Sequence, residues 1–287
     1  MKTALVFSLL ALLLLAAGWS VYTASFLIEP NWPSVEDVAI GCPELVPYLG
    51  GLRILLISDL HIRWIGFREE ELIRRVASIE PDVILITGDI IGKPEALDDA
   101  IEVVRRLRAR IWKYGVYGED ERFLFTPQHR DRWKAAGLTI LEDRAIQVDW
   151  KKSGNPICLI GVDTGRNRYD LEKMLNGIPG DMPKIMIAHS PTAAKPAALA
   201  GIDLIFAGDT HGGQIGIRQL YRFSGYARDT AYRQGLFKVR RTFLYVSRGM
   251  GWSLRPVRFL CRPEITVVSV CEPGEADTPV ILPGDEV

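Results

Sequence analysis

Five short segments concentrate the side chains able to ligate a cation or carry a proton: Ser58-Asp59-Leu60-His61, Thr87-Gly88-Asp89, Gly118-Glu119-Asp120, Ala188-His189-Ser190 and Gly208-Asp209-Thr210-His211-Gly212-Gly213. Asp59 and His61 lie two apart, as do Asp209 and His211, so both members of each pair can turn toward one point. Taken singly, an Asp or His at such a place caps a helix or holds a turn. Five together are different, because a fold gains no stability from pooling unpaired carboxylates. A cation is the natural reason to gather them. Two divalent ions about 3.5–4 Å apart, sharing a bridging carboxylate, would account for the number of ligands.

The elements that must position these residues are apolar runs immediately before them. Arg53–Ser58, Val83–Thr87, Ile111–Tyr117, Ile157–Gly161, Lys184–Ala188 and Leu204–Ala207 read as buried strands, with a β-rich section through Thr242–Ser247 and Glu264–Val270. Between the first two, Glu69–Ile79 sets Leu72, Ile73, Val76 and Ile79 on one helical face before Pro81. Ala96–Arg108 repeats the pattern with Ala100, Val103, Val104 and Leu107. Alternating apolar strands and amphipathic helices predict an α/β core with both sheet faces covered. The chemistry-bearing residues then fall at strand C-termini, where open α/β sheets place their ligand sites.

The chain has 287 residues, 48% apolar and 24% charged, which excludes disordered, collagen-like and coiled-coil classes. Its 35 basic and 35 acidic side chains cancel, so bulk charge argues against a nucleic-acid binder. Cys42, Cys158, Cys261 and Cys271 are too few and scattered for a disulfide framework and form no C-x-x-C pair. Residues 1–28 carry no charge between Thr3 and Ile28, enough to cross a bilayer as a helix; a secretory signal is the alternative. Trp19 and Tyr22 resemble interfacial aromatics, and Lys2 sets an N-in, C-out orientation. Residues 29–51 read as a Pro-, Gly- and acid-rich linker, 52–272 as the main domain and 273–287 as a flexible tail. Between Arg218 and Arg262 stand eleven Lys and Arg against Asp229 alone, interleaved with aromatics including Tyr221, Phe223, Tyr226 and Trp252. Two readings fit this stretch: a solvated edge of snorkelling arginines, or a basic wall facing an anionic substrate or lipid surface.

Asp59-x-His61, Gly88-Asp89, the Gly118 segment, His189 and Gly208-x-Thr210-His211-Gly212-Gly213-Gln214 together resemble, in order and spacing, the five blocks of the calcineurin-like metallophosphoesterases. The resemblance runs from about Leu52 to Val270. Tyr245-Val246-Ser247-Arg248-Gly249-Met250-Gly251 and Arg262-Pro263-Glu264-Ile265 resemble a membrane-anchored bacterial branch that includes the UDP-2,3-diacylglucosamine pyrophosphatases of lipid A synthesis. The resemblance implies a four-layer α/β/β/α sandwich. It implies that Asp59, His61 and His211 hold one metal, that Asp89 bridges, and that Glu119, His189 and Asp209 hold the second. It also implies hydrolysis of a lipid-sugar nucleotide pyrophosphate to UMP and a lipid sugar phosphate, by attack of a metal-bridging hydroxide. The alternatives are a periplasm-facing phosphodiesterase or phosphatase of another substrate, and an inactive scaffold of the same fold.

The sequence departs from the family pattern at three places. Where the family has Gly-Asn-His-Asp, this chain reads Gly118-Glu119-Asp120-Glu121, and where it has Gly-His-x-His, the chain reads Gly208-Asp209-Thr210-His211. Glu119 and Asp209 can still bind metal, through hard anionic oxygen, which favours Mg²⁺ or Mn²⁺ over Zn²⁺. Retained imidazoles make Mn²⁺ the expected ion, with Mg²⁺ or Fe²⁺ as alternatives. Asp120 replaces a histidine that helps neutralise the leaving group, and a carboxylate ionised at neutral pH has no proton to give. Such a site favours a leaving group that departs as a stable anion, as phosphate does. Arg248 and Arg255, beside the Gly249–Gly251 turn, are the expected substrate-binding residues. The expected location is a bacterial inner membrane, with the catalytic domain cytoplasmic for a lipid A substrate and periplasmic otherwise.

Overall fold

The computed structural model describes residues 2–121, 126–163, 170–217, 220 and 231–285. Arg218, Arg222, Arg228, Tyr221, Phe223 and Tyr226 of the basic–aromatic stretch lie outside the described residues. Two six-stranded sheets face each other. The first runs β1 (Ser34–Gly41), β12 (Glu264–Cys271), β2 (Ile54–Ile57), β3 (Val83–Ile86), β4 (Trp112–Gly115) and β5 (Leu138–Ile140). The second runs β10 (Gly235–Val239), β11 (Thr242–Val246), β9 (Leu204–Ala207), β8 (Lys184–Ala188), β7 (Ile157–Val162) and β6 (Arg144–Val148).

Strand alternation explains the layering. In β2, Leu55 and Ile57 point outward into a cluster with Leu72 and Val76 of α3 (Phe67–Ile79), Val103 and Val104 of α4 (Leu97–Arg106) and Trp133 of α5 (Pro127–Ala135). Ile54 and Leu56 point inward, against Ile185, Ile187, Leu204 and Phe206 of the other sheet. The far face of the second sheet buries Ile160, Met186 and Ile205 beneath α6 (Leu171–Met174) and α7 (Ala194–Leu199). All four residues of β2, β3 and β9 are fully buried, which is why these runs read as continuously apolar. The result is the expected four-layer α/β/β/α sandwich.

Both flanks of the predicted main domain differ from the sequence reading. Residues 29–51 are not a linker: β1 pairs in parallel with β12 from Ser34↔Glu264 to Gly41↔Cys271, and Ile40, Leu45 and Leu49 are buried between the sheets. The strand is an edge, with Glu36 and Asp37 turned partly to solvent, so it carries charges a central strand would not. Residues 273–285 of the predicted tail are not free either. Val280 exchanges backbone hydrogen bonds with Leu236 and Lys238. Buried Asp285 accepts from the Tyr232 hydroxyl at 2.6 Å and pairs with Lys195 at 3.2 Å. All four cysteines are free thiols, as expected.

The apolar N-terminal segment forms α1 (Lys2–Thr23), long and apolar enough to cross a membrane, with the side chains from Leu5 to Tyr22 exposed. It passes through a turn of π-helix at Ala24–Ile28 and one of 3-10 helix at Glu29–Asn31 directly into β1. This passage is docked throughout. The carbonyl of buried Ser25 accepts from the Arg258 backbone at 2.9 Å, Glu29 accepts from the Cys261 backbone at 3.3 Å, and Arg262 donates to the carbonyls of Trp32 and Pro33.

Candidate metal centre

The five segments converge at the C-terminal ends of β2, β3 and β4 on one sheet and β8 and β9 on the other. Close approach of these ends depends on glycine. A Cβ at Gly118 would stand 2.0 Å from Oδ1 of Asp89, and one at Gly208 would stand 1.7 Å from the Ser58 hydroxyl. The ligand residues also bend the backbone: Asp59, His61, Asp89, Asp209 and His211 all have φ between 41° and 71°. Non-glycine residues pay about 1–2 kcal/mol each for this left-handed region. Holding five such residues in one cluster is the kind of strain that surrounding structure supports at functional sites.

The donor atoms meet in three overlapping groups. Asp59, His61 and His211 form one, Asp59, Asp89 and His189 a second, and His61, Asp89 and Asp120 a third, with the donor atoms of each group within 4.8 Å of one another. The Nε2 atoms of His61 and His211 face each other at 3.1 Å, and Nε2 of His211 lies 3.7 Å from Asp59. Asp209 brings a carboxylate oxygen to 3.9 Å from Nε2 of His189 and donates its backbone N–H to both oxygens of Asp59. Glu119 is half-buried and belongs to none of the three groups among the described residues.

Second contacts aim the donors. His189 Nδ1 lies 2.7 Å from the Thr87 carbonyl, which fixes the proton on that nitrogen and turns the Nε2 lone pair toward Asp89, 3.4 Å away. That Nε2 is buried and makes no hydrogen bond of its own, the condition of an atom shaped for a cation. Ser58 donates to Asp59 at 2.5 Å and accepts from Thr87 at 2.6 Å. Asp120 takes the Nδ1 side of His61 at 2.9 Å, leaving Nε2 for the centre, while its own backbone N–H donates to Asp89 at 3.0 Å. Metal–nitrogen and metal–oxygen bonds of about 2.0–2.2 Å put neighbouring ligands about 3–4 Å apart, the spacing seen here. Imidazole and carboxylate donors, buried and convergent, fit divalent cations.

Electrostatics agree. Burial and the nearby Asp89 charge raise Asp59 to about 6. Burial also acts on Asp89, but His189 and His61 outweigh it and hold that carboxyl well below the usual range. His189 and His61 are buried too, and the surrounding carboxylates nevertheless raise both. His211 goes the other way, lowered by burial and by its neighbour His61. A residue not singled out in the sequence sits beneath them: Glu121 is fully buried and accepts from the backbones of Asp89 at 3.0 Å, Ile91 at 2.9 Å and Gly118 at 2.7 Å. Burial and Asp89 raise it to about 7. The carboxylate three residues beyond Gly118 was the available signal.

The two arginines expected to bind substrate are placed differently. Arg248 is committed to Glu36 at 2.5 Å and Glu264 at 2.7 Å, joining β1 to β12. Arg255 is exposed. Arg258, fully buried, donates to the carbonyls of Arg248, Gly249, Gly251 and Cys261. The loop it organises backs directly on Asp59, whose carbonyl accepts from Gly251 at 2.6 Å.

This fold and this convergence of buried Asp and His define a metallophosphoesterase, and the chain belongs to the calcineurin-like phosphoesterase family, whose model matches residues 52–213. Among curated relatives it is 32% identical over 257 residues to a bovine (Bos taurus) transmembrane protein with metallophosphoesterase domain, covering 82% of this chain and 56% of that protein. It is 29% identical over 261 residues to the uncharacterized metallophosphoesterase YkuE of Bacillus subtilis, covering 88% and 89% of the two chains. Against the phosphodiesterase YaeI of Escherichia coli it is 26% identical over 253 residues, covering 84% and 90%. The chain thus spans little more than half of the bovine protein and most of the two bacterial ones. It carries the metallophosphoesterase domain together with an apolar helix suited to a membrane.

Proposed function

We propose that the chain hydrolyses the pyrophosphate of a membrane-borne nucleotide sugar, UDP-2,3-diacylglucosamine, to UMP and a lipid sugar phosphate. The observation that carries this reading is the docking of the anchor end onto the loop behind Asp59, through the Ser25–Arg258 and Glu29–Cys261 hydrogen bonds. A site built against its own membrane anchor suits a substrate that resides in the same membrane.

Asp59, His61 and His211 on one side, and His189 and Asp209 on the other, would hold two divalent ions, with Asp89 between them. Such ions supply Lewis acidity and charge neutralisation for attack of water on phosphorus. The donor set contains enough carboxylate oxygen to favour Mn²⁺. Glu119 would join the second ion by turning inward from its half-buried position. Asp120 orients His61 instead of offering a proton, so the leaving group must depart unassisted. Phosphate does so readily and an alkoxide does not, which favours an anhydride bond. Arg255, exposed beside the loop, is the arginine available to the diphosphate. A second reading, favoured by the likeness to the Escherichia coli phosphodiesterase YaeI, is hydrolysis of a phosphodiester with an acidic leaving group.

The lipid A reading places the domain in the cytoplasm beneath the inner membrane, and the phosphodiester reading is compatible with the periplasm. The test is Mn²⁺-dependent release of UMP from UDP-2,3-diacylglucosamine by the full chain, with Asp89→Ala as control. Release abolished by the substitution supports the assignment. A metal-loaded, folded chain that releases no UMP rejects it.

A further inference from the structure

Two loops leave the metal centre on the side where the anchor arrives. Arg63 follows His61 by two residues and begins the stretch to Phe67. Trp252 follows Gly251, whose backbone donates to the Asp59 carbonyl at 2.6 Å, and begins the stretch to Leu260. Between these loops and the end of the anchor lies one cavity, walled by Phe26, Pro30, Trp64, Phe67, Trp252 and Pro256. The Arg63 guanidinium sits 4.6 Å from the centre of the Trp252 ring, and Trp32 and Phe67 rings lie 6.5 Å apart.

The wall of this cavity carries exposed rings beside Arg63, Arg68 and Glu69, and the second loop adds exposed leucines beyond it. Trp64 is 58% exposed, Phe67 62%, Leu254 70% and Leu260 64%. Leu254 and Leu260 also hold φ of 57° and 52°, a conformation that leucine adopts only at a cost. Apolar surface left in water contributes little to holding the chain together. Several large apolar side chains exposed on neighbouring loops mark a contact surface. Its occupant follows from continuity: Leu27 and Ile28, 56% and 53% exposed, run from the patch straight into a helix apolar enough to cross a bilayer. Tryptophan and arginine together are the side chains suited to the depth of lipid headgroups.

We propose that loops 63–67 and 252–260, with the anchor end, form a bilayer-docking face that seats the mouth of the metal centre at headgroup level, so that its substrate is a lipid phosphoester taken from that bilayer. Arg63 then faces lipid phosphate at the threshold, and the cavity receives the upper part of an acyl chain. The substrate class rests on the phosphoesterase reading above, but the docking does not.

The experiment uses the full chain in phosphatidylcholine nanodiscs, labelled with an environment-sensitive fluorophore at Leu254→Cys in a Cys271→Ser background. A second labelled chain carries Ser153→Cys, before β7, at the opposite end of the strands. Brominated acyl chains should quench the label at 254 at least about twofold and leave the one at 153 unaffected. Equal quenching at both, or none at 254, overturns the docking. In parallel, two probes with the same leaving group are compared: phosphatidyl-p-nitrophenol in the nanodisc and soluble bis(p-nitrophenyl) phosphate. Replacing Trp64, Phe67 and Leu254 together by Ser should lower the ratio of the lipid rate to the soluble rate about tenfold. A constant ratio overturns the lipid source. If neither probe is hydrolysed, UMP release from UDP-2,3-diacylglucosamine in the same nanodisc decides the phosphoesterase reading, and the quenching result still decides the docking.

Discussion

Arg258 offers the sharpest test of how the anchor, the loop and the metal centre are joined. Its guanidinium is fully buried and its hydrogen-bond acceptors are all backbone carbonyls: Gly251 at 2.9 and 2.6 Å, Arg248 at 2.8 Å, Gly249 at 3.0 Å and Cys261 at 3.1 Å. Burial lowers it to about 10, so it remains charged at neutral pH. Arg258→Met keeps much of the volume and takes the guanidinium from the carbonyls of Arg248, Gly251 and Cys261, while that of Gly249 keeps the Glu264 N–H at 3.1 Å. Each dry, unpaired carbonyl costs about 1–3 kcal/mol, and entering water recovers part of that. A net loss of about 3–5 kcal/mol is expected. Arg258→Lys, a point charge where a fork is needed, should lose about half as much. The effect should reach the metal, because Met250 and Gly251 donate to the carbonyls of Ser58 and Asp59 at 2.8 and 2.6 Å. Metal affinity should fall about 10–100-fold, the range for lost support of a ligand. Denaturant unfolding of the full chain in detergent, with and without Mn²⁺, measures the first quantity and calorimetric titration the second. An Arg258→Met chain that loses under about 1 kcal/mol, or binds Mn²⁺ as tightly as before, refutes the reasoning.

Three further outcomes are expected. Gly118→Ala places a methyl 2.0 Å from Asp89 Oδ1 and should cost about 1–3 kcal/mol and most hydrolytic activity, whereas an active, stable variant would show that the β4 loop yields freely. Asp120→His at saturating Mn²⁺ should raise hydrolysis of alkyl phosphodiesters about tenfold or more relative to p-nitrophenyl ones, and an equal change on both would remove Asp120 from the leaving-group argument. In chelator-treated protein, Asp59 at about 6 and Glu121 at about 7 lie above their unfolded values of 3.8 and 4.5, and His61 and His189 lie above 6.5. His211, lowered by burial and His61, opposes them, but the raised groups outnumber it, so the native state binds more protons than the unfolded chain and its stability falls as pH rises through these ranges. Mn²⁺ needs the deprotonated ligands, so its stabilisation grows over the same interval. The difference in melting temperature between loaded and chelated protein should widen from pH 6 to pH 8; a constant difference counts against Asp59, His61 and His189 as ligands.

What could be read from the sequence was what repeats with a period. β8 and β9 fall where their apolar runs place them, and α3 and α4 differ from expectation by about two residues at their ends, the usual looseness of helix termini. β1 escaped notice because an edge strand keeps Glu36 and Asp37 in a row that alternation alone does not favour. β5, three residues with Leu138 and Ile140 buried, is too short to show a period, and β6 is an edge strand left half-exposed. At the centre, the order of ligand residues along the chain carried Asp59, His61, Asp89, His189 and His211 into one cluster. Glu121 and Arg258 were invisible there, since a buried carboxylate and a buried arginine look like surface charges until the backbone groups they satisfy are known. Arg248 was drawn toward substrate by its glycine-rich neighbourhood, but its partners Glu36 and Glu264 are more than 200 and 15 positions away along the chain, respectively.

The path from α1 to β1 contains no slack. The chain leaves the anchor at Thr23, is hydrogen-bonded to the domain at Ser25, Glu29, Trp32 and Pro33, and enters the first sheet at Ser34. A flexible tether lets an enzyme sweep a hemisphere above a membrane and dilutes its site over that volume. Docked as proposed, this domain would instead be fixed in height and heading, so its encounters would be confined to a plane and its rate would follow lateral diffusion and the number of substrate molecules per unit area.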